Sequence, residues 1–137
     1  MMKKATGKAL LYRFENEGKL EAVKSVMHGL NIATEVLPND AWRQKIGYLL
    51  HIKGFQPVQV KEVDEVFFFP EEVMLLYQVK GKRLDQVLQA LHDANIPQIR
   101  YKAVITPFNT LWTLRRLCET MQKEHGTVAA SLPVDKK

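Results

Sequence analysis

The chain has 137 residues, 46% of them hydrophobic, and 20 Lys or Arg against 15 Asp or Glu give a formal net charge of +5 at pH 7. That length can bury a real core without disulfides or metal, and the single cysteine, Cys118, excludes an intramolecular disulfide. No run approaches the roughly 20 apolar residues that a membrane span requires, so a soluble protein of a reducing, cytoplasmic compartment is expected.

The first expected strand is Lys8 to Phe14, ended by the turn and cap residues Glu15-Asn16-Glu17-Gly18. A helix follows, with Leu20, Val23, Met27 and Leu30 as its buried stripe and Gly29 closing it. The second strand is Ile32 to Leu37, stopped by Pro38-Asn39-Asp40. Much later, Val73 to Val79 reads as the third strand, Leu84 to Ala94 as the second helix and Ile99 to Ile105 as the fourth strand. A last helix is predicted from Thr106-Pro107 or Asn109 to about Glu124 or His125, burying Leu111, Leu114, Leu117, Cys118 and Met121. Residues 1–125 form one domain in this reading, residues 38–72 an insertion, and residues 126–137 a flexible tail.

These elements repeat. Leu10-Leu11-Tyr12 returns 65 positions on as Leu75-Leu76-Tyr77. At a spacing of 64, Leu20, Val23, Met27, His28 and Asn31 face Leu84, Val87, Leu91, His92 and Asn95. Two strand-helix-strand units predict an α+β fold, a ferredoxin-like βαββαβ sandwich with an extra C-terminal helix. The first and third strands become central antiparallel neighbours about a pseudo-twofold axis. The alternative is a three-layer α/β parallel sheet in which residues 40–52 supply a crossover helix. Both central strands are apolar at nearly every position, which calls for a second layer from the last helix, Ile46 to Ile52, or another subunit. The insertion and the helix after Thr106 have no counterpart in the repeat so read, and function is sought there. Within the insertion, Glu62 to Glu72 carry five acids and no base around Phe67-Phe68-Phe69. They are expected to form an edge strand or hairpin arm with the phenylalanines packed beneath it, the alternative being a mobile lid or docking arm whose acids meet the basic first part of a neighbouring molecule.

Several segments together resemble a known family. They are Leu11-Tyr12, Ile46-Gly47-Tyr48-Leu49, the run Lys102-Ala103-Val104-Ile105-Thr106-Pro107-Phe108-Asn109 with Trp112, and Glu124-His125. From about Ala9 to His125 the chain resembles domain of unknown function 3783. The resemblance implies a bacterial source and a stand-alone cytosolic domain; it brings no activity and no catalytic residues.

His28, His51, His92 and His125 lack the spacing of a metal site. Cys118 falls on an apolar stripe, and no nucleophile elbow, phosphate loop or dinucleotide fingerprint occurs. No catalytic residue, metal or cofactor is therefore assigned. Two features offer binding. The turn Lys80-Gly81-Lys82-Arg83, with Lys102 and the Thr106 to Asn109 helix start, would suit an anion. Tyr12 and Tyr77 fall on one face of the central strands, where RNA-binding modules carry base-stacking aromatics. The leading expectation is a non-enzymatic ligand- or protein-binding, regulatory module, homodimeric over an open sheet face, with a small anionic ligand or a protein as partner and no membrane contact. The competing reading is a nucleic-acid binder using these tyrosines and the basic first part, since residues 1–61 hold ten Lys or Arg against five acids.

Overall fold

The computed structural model describes residues 6–59 and 67–125. The expected C-terminal tail and the acidic residues 62–66 lie outside them. The elements in order are β1 (Lys8–Tyr12), α1 (Glu17–Gly29), β2 (Ala33–Val36), a 3₁₀ turn (Asn39–Arg43), α2 (Ile46–Leu49), β3 (Val73–Tyr77), α3 (Lys82–Asp93), β4 (Tyr101–Ile105), a second 3₁₀ turn (Phe108–Leu111) and α4 (Leu114–His125). The α+β character follows the sequence.

The sheet order is β2-β1-β3-β4. β1 and β3 are central and antiparallel, as the repeat predicts, and Leu10 pairs with its own counterpart Leu75. The pseudo-twofold axis therefore passes through that pair. The strand order departs from the ferredoxin-like expectation. In that fold each strand-helix-strand unit is split by a strand of the other, whereas here β1 pairs directly with β2 and β3 with β4, both parallel. The three-layer alternative is right about the layers and wrong about an all-parallel sheet, because the central pair is antiparallel.

Alternation along the central strands builds two cores. Ala9, Leu11, Met74 and Leu76 pack beneath α1 and α3, against Val23, Met27, Val87 and Leu91. Leu10, Tyr12, Val73 and Leu75 face the other way, beneath Ala41, Ile46, Leu49, Leu114, Leu117, Cys118 and Met121. The second layer is thus the chain's own last helix together with the start of the insertion. The sheet face through which a homodimer was expected is not open.

The repeat extends to backbone detail. Asn31 and Asn95 adopt left-handed φ values of 62° and 58°. Each donates its N–H three residues back, to His28 O and His92 O, and the next amide reaches five residues back, Ile32 to Met27 O and Ile96 to Leu91 O. This is the double bond of a Schellman cap, which an asparagine can enter in place of glycine. Asn31, not Gly29, therefore closes α1. Arg13 and Gln78, one residue past Tyr12 and Tyr77, are likewise left-handed at 65° and 63°.

Nor does the repeat stop at β2. Val36, Leu37, Ile46, Leu49 and Leu50 match Val104, Ile105, Leu114, Leu117 and Cys118 at a constant spacing of 68. The turn bonds Ala41 N–H to Pro38 O and Gln44 N–H to Ala41 O recur as Asn109 to Thr106 O and Trp112 to Asn109 O. Residues 38–50 are accordingly the counterpart of residues 106–118, which corrects the expectation that both break the repeat. The expected last helix also divides. Trp112 is extended (φ −83°, ψ 152°) so that Thr113 can bridge to Lys45, which a continuous helix would forbid. Leu111, expected to be buried, lies before the division and is 58% exposed.

Candidate functional site

The two copies meet at the Lys45–Thr113 bridge. Ile46 N–H donates to Trp112 O at 2.9 Å and Leu114 N–H to Gln44 O at 3.0 Å, a reciprocal pair about the same axis. Each extended step thus satisfies the other's backbone.

Beside this seam is a cavity of about 200 Å³ lined by Trp42, Arg43, Val58, Gln59, Thr113 and Arg115. The 3₁₀ turn Asn39–Arg43 seats Trp42 on the core and leaves Arg43 at the surface. Thr113 accepts the amide of Arg116 through its hydroxyl at 3.1 Å, the N-cap of α4, and so fixes the first turn that carries Arg115. Arg43 lies 4.4 Å from the Trp42 ring centre, and Arg115 lies 5.7 Å from it and 5.0 Å from that of Phe67. Gln44 Oε1 accepts the amide of Val58 at 2.8 Å and holds that wall in place. Arg115 also donates to Glu119 at 3.1 Å. The cavity therefore sets the Arg43 guanidinium beside an aromatic floor, with Arg115 engaged by Glu119, a combination suited to carboxylate or phosphate at Arg43.

The first copy differs at the position of Arg115. Gly47 takes the place of Arg115, and a Cβ at Gly47 would collide with the ring of Phe55. The two matching positions are therefore packed differently: glycine against Phe55 in the first copy, arginine beside the cavity in the second.

The sequence-predicted residues do not converge there. Lys80 is exposed in the turn before α3 and Lys82 at the first residue of α3. Arg83 donates to Thr6 Oγ1 at 2.6 Å and to Leu30 O at 3.0 Å, tying the end of α1 to the start of α3. Lys102 is buried on the sheet face beneath α3, and its Nζ donates to Ile99 O at 2.9 Å. Thr106 and Asn109 cap each other across the second 3₁₀ turn, Thr106 Oγ1 donating to Asn109 Oδ1 at 2.9 Å and Asn109 N–H to Thr106 Oγ1 at 3.2 Å. Tyr12 and Tyr77 do share a face, as expected, but under the second layer. Tyr12 is 1% exposed and its hydroxyl donates to Asn39 O at 2.8 Å. Burial pushes its pKa up to about 12. A nucleic-acid base cannot stack on a ring so covered.

Reading the sequence missed Trp42, Arg43 and Arg115, because their meeting depends on pairing residues 38–50 with 106–118. The signal was present as Ile46-x-x-Leu49-Leu50 against Leu114-x-x-Leu117-Cys118.

Other chemistry is not assembled among the described residues. Cys118 is buried, and desolvation with the nearby Glu119 carboxylate raises its thiol pKa to about 12, so it stays protonated. No group of three or more His, Cys, Asp or Glu there is placed to hold a metal ion. No helix there is long and apolar enough to cross a membrane.

Residues 72–127 match the family model described as Domain of unknown function (DUF3783). The match covers β3 to the end of α4, the second copy of the repeat. No curated protein and no solved structure matches the chain.

Proposed function

We propose that this protein is a non-enzymatic, cytoplasmic binding module of bacterial origin, and that its site is the arginine-lined cavity at the seam between the two copies. The ligand is a small anion. One observation carries the reading: beside the seam, the Arg43 guanidinium lies 4.4 Å from the Trp42 ring at the edge of a cavity, while the position matching Arg115 in the first copy is Gly47, packed against Phe55. The depression is open to solvent, and its volume of about 200 Å³ suits a compact ligand such as a dicarboxylate or phosphate monoester. Because Arg43 and Trp42 come from the first copy and Thr113 and Arg115 from the second, the ligand ties the copies together. That coupling is the basis for a regulatory role.

A thermal-shift screen with compact phosphate monoesters and dicarboxylates tests the proposal. An active compound raises the melting temperature of the intact protein, by an amount equivalent to about 2.7 kcal/mol at one hundred times its Kd. The shift is lost in Arg43→Ala and kept in Lys82→Ala. No shift with any such anion, or an equal shift in Arg43→Ala, defeats the reading.

A further inference from the structure

The surface at which the two copies meet reads the same from either side. β1 and β3 pair about Leu10 and Leu75, and the register is symmetric around them: Lys8 opposes Tyr77, Ala9 opposes Leu76, Leu11 opposes Met74 and Tyr12 opposes Val73. At the 65-residue spacing Leu10 corresponds to Leu75 itself, and Tyr12 to Tyr77. A second β3 laid in the place of β1 therefore sets Leu75 against Leu75, Met74 against Leu76 and Val73 against Tyr77. None of these positions is charged, whereas β1 brings Lys8. Apolar cross-strand pairs of this kind stabilise a sheet.

The covering layers repeat the pattern. In the seam, Leu114 N–H donates to Gln44 O and Ile46 N–H to Trp112 O. At the 68-residue spacing Gln44 corresponds to Trp112 and Ile46 to Leu114. The second copy thus holds both halves of the reciprocal bond, the Leu114 donor and the Trp112 acceptor, and two such copies meet with Thr113 opposite Thr113. On the other layer a long basic side chain crosses each way. Arg83 Nη2 donates to Leu30 O at 3.0 Å, and its counterpart Lys19 donates from Nζ to Gln98 O at 3.3 Å. The ring of Phe55, against which Gly47 packs, belongs to the first copy and leaves with it, so it does not oppose an arginine at the Gly47 position. Arg115 keeps Glu119 as a counter-ion at 3.1 Å.

A second copy without the first leaves one side of β3 lacking a strand, and the amide of Leu114 and the carbonyl of Trp112 lacking their partners. The family model matches residues 72–127, which is this copy. We propose that this face is a homotypic docking surface, and that the partner it fits is the second copy of another molecule of this chain, seated in the register that the first copy occupies. In the closed chain the tethered first copy holds the face through its effective concentration. Where the first copy is released, two molecules share one sheet of order β4-β3-β3-β4 about a true twofold axis, an isologous contact that closes at two.

The full chain carrying Leu10→Pro tests the inference. A proline in the middle of a central strand removes a ladder amide and expels β1 from the sheet. Sedimentation velocity at micromolar concentration is expected to give twice the chain mass, with the circular dichroism of α3 and α4 retained. Thr113→Cys added to Leu10→Pro forms an inter-chain disulfide under air oxidation, because residue 113 opposes itself on the axis. In the wild-type background Lys45 takes that place and Thr113→Cys gives no such link. The Leu10→Pro parent, which keeps Cys118, controls for that thiol. Adding Leu75→Pro abolishes the dimer. A monomeric Leu10→Pro chain, folded or unfolded, a larger aggregate, a dimer not linked through Thr113→Cys, a link as strong in either control, or a dimer that survives Leu75→Pro overturns the inference. Mass and cross-linking are read without any ligand, so the outcome is independent of anion binding at the seam.

Discussion

The first and second copies of the repeat share a backbone and differ in what they leave open. Strand pairing, the Schellman caps at Asn31 and Asn95, the left-handed residues after β1 and β3, and the turn bonds before α2 and α4 are common to both. Differences gather on the outer layer. There Gly47 faces Arg115, and the polar Asp40, Arg43 and Gln44 face the apolar Phe108, Leu111 and Trp112. The second copy has a helix of about three turns at α4, while α2 in the first is a single turn succeeded by the segment that carries Phe55. Positions that define the fold have thus been held in duplicate. Positions facing outward differ between the copies, and the seam cavity is lined by residues from both.

The largest expected effect falls where the copies are most alike. Leu10 and Leu75 oppose each other on the pseudo-twofold axis and are 0% and 1% exposed. Leu10→Ala and Leu75→Ala should each cost about 2–5 kcal/mol in denaturant unfolding, and by similar amounts. A loss under about 1 kcal/mol at one of them alone would break the equivalence of the two strands.

Next comes a site where the copies diverge. Gly47→Ala drives the Phe55 ring from its seat and is expected to cost about 1–3 kcal/mol. Arg115→Ala at the matching position removes a half-exposed side chain and should cost under about 1 kcal/mol. Equal costs would mean that the two matching positions are not differently packed.

Much of this architecture could be read from residues alone, and the reason is instructive. The apolar runs of β1 and β3 and the matched stripes of α1 and α3 are local signals, set by one spacing each, and they gave the antiparallel central pair and the need for two covering layers. Strand order was not legible, since adjacent and split strand-helix-strand units carry the same pattern. The counterpart relation of residues 38–50 and 106–118 was obscured because its spacing is 68 where the strands have 65 and the helices 64, and because α2 stops after one turn. Arg43 and Arg115 look like scattered surface charges until that relation brings them together.

A smaller effect belongs to the first copy alone. Glu35 on β2 accepts hydrogen bonds from Lys8 Nζ at 2.7 Å and His51 Nε2 at 2.9 Å. Burial raises its pKa, but those two bonds and charges outweigh it and hold the carboxyl below its ordinary value of 4.5. A folded-state pKa below the unfolded one adds stability that is full above the ordinary value and disappears as pH falls through the folded one. The wild type should therefore lose more stability below about pH 4.5 than Glu35→Gln does, followed by thermal melts in an acid series. Parallel melting curves would remove Glu35 as a source of acid sensitivity. The matching residue of β4 is Ala103, so the second copy contributes nothing equivalent.

The two tryptophans separate the copies directly. Trp42 floors the seam cavity, and Trp112 stands edge-on to Phe108. Titrating the labelled protein with phenyl phosphate, a compact phosphate monoester, and following both indole N–H signals tests the central claim. The account predicts that the Trp42 signal moves saturably while that of Trp112 stays, and that Arg43→Ala abolishes the movement. A Trp42 signal that does not move with any compact anion, or that moves unchanged in Arg43→Ala, would contradict it.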